Sequence, residues 1–183
     1  MPHVKKGIAI KGENMNEMKP RTASIAAILV IGFLVLRSAS AADNILKPAN
    51  DVKNWRFEQH EDGKGKISAD GDAILFEITN VDGTEWHVQA FQTPLDLKDG
   101  KEYTITFKAK ADDTREVGVQ AGIDEEDWHM IGLDEKAELT KDWKDFKYTF
   151  TANDVKANKN RVGFVLGGAK GKVWVKDLVL KGG

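Results

Sequence analysis

From Trp55 to its end the chain alternates apolar and polar residues with a period of two, and almost nowhere shows the 3.6-residue period of an amphipathic helix. The cleanest run is Glu102 to Ala111 (EYTITFKAKA). There Tyr103, Ile105, Phe107, Ala109 and Ala111 share one face, and Thr104, Thr106, Lys108 and Lys110 the other. A segment of this kind buries one face and wets the other as a strand of an antiparallel sheet. Many such runs in one chain imply sheets packed face to face.

The pattern recurs, less regularly, at Trp55 to Gln59, Lys64 to Ser68, Ala73 to Thr79, Trp86 to Gln92, Arg115 to Ile123, Lys144 to Thr151, Arg161 to Leu166 and Lys172 to Leu180. With a short run at Ile45-Leu46, about ten strands are expected. Asp62-Gly63, Asp70-Gly71 and Asp82-Gly83 separate successive runs. Asp-Gly favours tight turns because glycine accepts positive φ and aspartate bonds locally to backbone. The expected fold is therefore all-β, a sandwich of two antiparallel sheets. One helical turn is expected at Asn153 to Ala157, and no repeat or low-complexity segment is present.

One stretch near the start breaks the pattern. Ser24 to Leu36 (SIAAILVIGFLVL) is an apolar run of 13 residues, preceded by Lys19 and Arg21 and followed by SASAAD. This is a secretory signal layout with cleavage near Ala41 or Ala42. The run is shorter than the ~20 residues needed to cross a bilayer as a helix. Residues 1–17 are read as a polar extension or a misassigned start, 18–42 as the signal peptide, and 43–183 as one β-sandwich domain, in a chain exported to the periplasm or medium.

The 183 residues include no cysteine, so disulfides, thiol catalysis and thiolate metal sites are excluded. Formal net charge is −2, with 27 basic and 29 acidic side chains interspersed. That distribution excludes the basic stripe on which nucleic-acid binding depends.

Several pieces, in order, carry a resemblance. They are Trp86-His87-Val88-Gln89 with Gln92, Leu95 and Leu97, then Gly100-Lys101, Tyr103 and the strand ending Phe107 to Ala111. Trp128, Trp143, Phe150-Thr151, Phe164 to Gly168 and the closing Val173 to Leu180 follow. This ordered set resembles the family 4/9 carbohydrate-binding modules, jelly-roll domains attached to bacterial cellulases and xylanases. The resemblance implies a non-catalytic domain that binds polysaccharide or oligosaccharide in a groove on its concave sheet. It also implies a separate glycoside hydrolase as a partner.

Strand alternation then nominates the groove. With Trp86, Val88 and Ala90 toward the core, His87, Gln89 and Phe91 project from the opposite face. Gln89 matches the family's recurrent glutamine, and an amide both donates to and accepts from paired sugar hydroxyls. Gln120 is placed likewise between Gly118 and Gly122, glycines that leave space for a ligand. Trp128, after the acidic loop Asp124 to Asp127, is the stacking candidate, because sugar CH faces lie on aromatic rings. Trp55, Trp86 and Trp143 are assigned to core or strand-end packing. Arg161 suits hydroxyls or a uronic carboxylate. The family often presents amides where this chain has Arg161, Gly163 and Val165, and that departure supports an alternative: an envelope structural or interaction protein that keeps the fold without binding glycan.

The resemblance also implies a structural calcium, with Asp177 of the closing strand as its candidate ligand. His87 and His129 lack the spacing of a zinc site. A paired-carboxylate hydrolase is disfavoured because Glu116 has no second carboxylate placed beside it by strand parity.

Overall fold

The computed structural model describes residues 44–183, so the expected signal segment and its cleavage sites lie outside the described residues. Ten strands follow in chain order: β1 (Arg56–Gln59), β2 (Lys64–Asp70), β3 (Ala73–Asn80), β4 (Val88–Leu95), β5 (Glu102–Ala111), β6 (Arg115–Ile123), β7 (Met130–Leu139), β8 (Lys144–Thr151), β9 (Asn160–Val165) and β10 (Gly171–Gly182). They form two five-stranded sheets, ordered β1-β4-β9-β6-β7 and β2-β3-β10-β5-β8, with every pairing antiparallel. The architecture is the expected jelly-roll sandwich.

The core lies between the sheets. Phe164 from β9 meets Phe107 of β5 edge to face at 5.1 Å and lies 6.4 Å from Phe76 of β3, so one ring couples the two sheets. Trp55 closes the end of this cluster, 5.3 Å from Phe76, with its indole N–H donating to the Ala49 carbonyl at 2.7 Å. Fully burying each such side chain contributes about 1.5–3 kcal/mol. The alternation seen in β5 appears directly as burial, with Tyr103, Ile105, Phe107, Ala109 and Ala111 all inside.

Four local expectations change. Ile45-Leu46 is not a strand, although the Ile45 amide donates to the Leu180 carbonyl. Asn153 to Ala157 has one bend, at Asp154, and no helical turn; a hydrogen-bonded turn follows at Ala157-Asn158. Trp86 is not in the core: it sits in a 3₁₀ turn (Glu85–His87) ahead of β4 and is 51% exposed. Finally, β7 is a strand that the alternation does not predict. Its core positions are Ile131, Leu133, Ala137 and Leu139, and Glu135 interrupts the apolar set midway.

That last strand overturns one argument. Glu138 of β7 pairs directly with Glu116 of β6, so a second carboxylate does stand beside it. Both side chains are exposed and neither borders the cavity described below.

Candidate functional site

The β1-β4-β9-β6-β7 sheet presents its second face away from the core, and register assembles that face in rows. Glu58, Gln89, Val165, Gly118 and Lys136 form one row across the five strands. Arg56, Phe91, Gly163, Gln120 and Asp134 form the next, and Arg161, Gly122 and Met130 a shorter third. Over these rows lies a cavity of about 570 Å³ lined by Glu58, His60, Trp86, Gln89, Gln120, Trp128, Met130 and Arg161.

Gln89, Gln120, Trp128 and Arg161, nominated from sequence, thus line a single space. Phe91 shares the face but stands behind that lining, whereas His87, expected in the groove, lies in the turn ahead of β4 and does not line the cavity. His87 Nδ1 pairs with Asp82 at 2.7 Å, and its ring stands edge-on to Trp86 with centroids 4.2 Å apart. It holds Trp86 in place. The hydrogen bond from His87 is the main reason the Asp82 carboxyl titrates below its ordinary range. Phe91 is buried beneath Arg161, whose guanidinium carbon lies 4.1 Å from the ring centroid.

Four lining residues, Glu58, His60, Trp86 and Met130, are not among those nominated from sequence, and His60 stands beside Trp86 with ring centroids 5.2 Å apart. Glu58 accepts a hydrogen bond from the Gln89 amide at 2.6 Å and pairs with Arg56 Nε at 2.7 Å. Alternation in WRFEQ carried that signal, since Phe57 packs inward and Arg56 and Glu58 must turn outward. Met130 belongs to the missed strand. Parity counted back from Val88 and Ala90 puts Trp86 inward, but the turn before β4 breaks that count.

Charge is arranged in a chain across this face. Arg56 donates to Asp124 through both terminal nitrogens, one of them at 2.6 Å. Burial alone would lower the Arg56 pKa, but Asp124 and Glu58 together raise it. For Arg161, burial is the largest influence and the outcome is a lowered pKa, with Glu58 and Asp124 only partly offsetting it.

The two glycine expectations resolve differently. A Cβ at Gly163 would sit 2.0 Å from the Ala90 carbonyl oxygen and 2.7 Å from the Phe91 Cα. No amide side chain fits there, so its absence follows from backbone proximity. A Cβ at Gly118 would meet the Val165 side chain at 2.9 Å. The space over Gly118 is therefore filled by Val165 rather than kept for a ligand.

The Trp128 edge is built from unusual backbone. Asp127 and Trp128 both have positive φ, 77° and 50°. His129 holds them: Nδ1 contacts Asp127 at 2.6 Å and Nε2 the Asp154 carbonyl at 2.9 Å. Those two contacts, the Asp154 carbonyl foremost, raise the His129 pKa above its ordinary value.

Comparison with known proteins decides the family. Residues 42–171 match the sequence profile of the family 4/9 carbohydrate binding domain. This chain belongs to that family. A CBM4 module of known structure is 25% identical to this carbohydrate binding domain, with a TM-score of 0.64 over 76% of this chain and 93% of that one. The second N-terminal cellulose-binding domain of Cellulomonas fimi β-1,4-glucanase C is 18% identical, with a TM-score of 0.60 over 78% and 96% of the two chains. The first such domain of that glucanase is 18% identical with a TM-score of 0.56, over 74% and 92%. These last two share the fold. No curated protein matches the sequence at a significant level.

The resemblance implies a calcium at Asp177. Asp177 lies at the bulge in β10 with φ 52°, largely exposed, and its carboxylate faces Lys108 Nζ at 3.5 Å. Among the described residues no three His, Asp or Glu side chains converge as a metal site. The Asp177 carboxylate is thus opposed by an ammonium and joined by no such cluster of side-chain ligands among the described residues, so further calcium ligands there would have to include backbone carbonyls.

Proposed function

We propose that the protein binds polysaccharide or oligosaccharide, without catalysis, in the groove across β1-β4-β9-β6-β7. One observation carries this reading. Trp86 and Trp128, each half exposed, border the same cavity as the amides of Gln89 and Gln120. Rings supply apolar area for sugar CH faces, and amides supply the paired donors and acceptors that hydroxyls need. Membership in a carbohydrate-binding family supports the same conclusion.

Of the positions whose missing amides favoured an interaction protein, Gly163 is demanded by the approach of β4, while Val165 keeps the departure. The signal layout in residues 18–42 supports action outside the cytoplasm, where glycan and a separate glycoside hydrolase would be met.

The test is binding of the purified protein to soluble β-glucans, xylans, mannans and uronic-acid polymers, by affinity electrophoresis and calorimetry, with Gln89→Ala and Trp128→Ala alongside. Retention by one polymer class, lost in both variants, is the expected result. If no polymer retains the folded protein, the reading fails.

A further inference from the structure

Two arginines of the β1-β4-β9-β6-β7 sheet are almost equally buried. Arg115 is 8% exposed and Arg161 is 5% exposed. Burial lowers the pKa of both, and the Nε of each lacks a hydrogen-bond partner. Their terminal nitrogens differ. Those of Arg115 donate to the carbonyls of Leu166 at 3.3 Å, Lys170 at 3.2 Å and Ala169. Arg115 is thereby consumed in holding the loop after β9.

The Arg161 guanidinium donates no hydrogen bond to any described residue. Its nearest carboxylate oxygen, on Glu58, is 3.9 Å from its terminal nitrogen, beyond hydrogen-bond reach. That oxygen already accepts from Gln89 at 2.6 Å, and the other Glu58 oxygen pairs with Arg56. Asp124, the next carboxylate, is occupied by both terminal nitrogens of Arg56. Rings stand over the Arg161 guanidinium, Phe91 at 4.1 Å and Trp128 at 5.2 Å. What remains for a ligand is the edge of terminal nitrogens, in a cavity that Arg161 itself lines.

Removing a guanidinium from water costs several kcal/mol, and a neutral hydroxyl returns only part of that. A carboxylate returns more, because two parallel charge-assisted bonds match the planar fork. We propose that the groove is built for a glycan bearing a uronic acid residue, whose carboxylate is received by the free edge of Arg161. The sugar ring carrying it would lie against Trp128, which borders both the cavity and the guanidinium. This inference rests on the groove being the glycan site and adds the chemical class of one bound residue.

The experiment uses matched pairs: oligosaccharides of glucuronoxylan, alginate and polygalacturonate, each beside its carboxyl-reduced counterpart, which keeps the ring and replaces the carboxylate with an alcohol. Calorimetry on the unaltered protein should show, for at least one pair, roughly ten-fold tighter binding of the acid form. In Arg161→Gln the two members of that pair should bind within about two-fold of each other, while Arg161→Lys should keep part of the preference. Equal binding of acid and reduced forms by the unaltered protein overturns the inference, as does a preference that survives in Arg161→Gln. Binding of neutral glucan or xylan without any acid preference sinks the uronate inference and leaves the groove reading standing. Absence of binding to every oligosaccharide removes both.

Discussion

Each face of this sandwich that points away from the core carries two tryptophans, and the pairs are used in opposite ways. On the β2-β3-β10-β5-β8 face, Lys110 lies 5.1 Å from the Trp143 ring and 5.0 Å from Trp174, and Lys176 lies 4.7 Å from Trp143. The Trp174 indole also donates to Asp70 at 2.8 Å. Those rings are occupied by the protein's own cations and carboxylate. Trp86 and Trp128 border an open cavity, and the indole N–H of neither donates to a described residue. Exposure alone does not separate the pairs, since Trp143 is 37% exposed against 51% for both groove rings. Partnership does.

The largest expected effect tests that contrast directly. Trp86→Ala and Trp128→Ala should each weaken glycan binding by roughly 10- to 100-fold, the range for truncating an aromatic that anchors a ligand. Trp143→Ala and Trp174→Ala should leave affinity within about two-fold and lower stability by roughly 0.5–1 kcal/mol through lost cation–π contacts. Calorimetry for binding and urea unfolding for stability separate the outcomes. Loss of binding on replacing either outer tryptophan would erase the distinction.

A second test sharpens the contrast between absent and forbidden side chains. Restoring an amide by Gly163→Asn should yield no gain in affinity, because the new Cβ would press on the Ala90 carbonyl at 2.0 Å. The strands must part to admit it, at a cost of about 1–3 kcal/mol. The unfolding midpoint in urea measures this cost. A stable Gly163→Asn protein with tighter binding would show that the glycine marks a lost subsite.

These cases also show what the sequence could carry. Strand parity found Gln89, Gln120 and Arg161 because each sits inside a regular strand, where side-chain direction follows from counting. It failed at Trp86, because the 3₁₀ turn Glu85–His87 resets the count just before Val88. It failed at β7 because Glu135 stands where an apolar residue was expected, which hid Met130 and the Glu116–Glu138 pairing. Nor could spacing distinguish a glycine that leaves room from one filled by a neighbour. At Gly118 the filling side chain is Val165, 47 positions further along the chain (165 − 118), and only the β6–β9 register brings the two together.

The Trp128 edge should respond to pH through His129. His129 donates from both ring nitrogens, to Asp127 and to the Asp154 carbonyl, only when protonated. Its folded-state pKa is raised, so its contribution is complete below the ordinary value near 6.5 and fades as pH climbs through the raised one. Asp127 is lowered chiefly by the His129 hydrogen bond, so its contribution holds above the ordinary carboxyl value near 3.8 and is lost only in stronger acid. Affinity should be greatest between those limits and decline by about two- to three-fold toward pH 9 as the Trp128 loop loosens. His129→Gln should flatten the alkaline limb. An unchanged profile in that variant would detach the loop from the histidine.

The smallest effect is expected on the opposite face, at Asp177. Its carboxylate faces Lys108 rather than other oxygen donors, and both groups are substantially exposed. An exposed pair of this kind contributes about 0–1 kcal/mol. Asparagine is the informative replacement, because φ at this position is 52° and asparagine, unlike alanine, tolerates that conformation while losing the charge. Asp177→Asn should therefore shift thermal unfolding by no more than a few degrees. Chelation with EDTA should leave the melting temperature of both forms unchanged. A fall of ten degrees or so on chelation, abolished by Asp177→Asn, would correspond to a few kcal/mol of lost metal binding and would make Asp177 a calcium ligand after all.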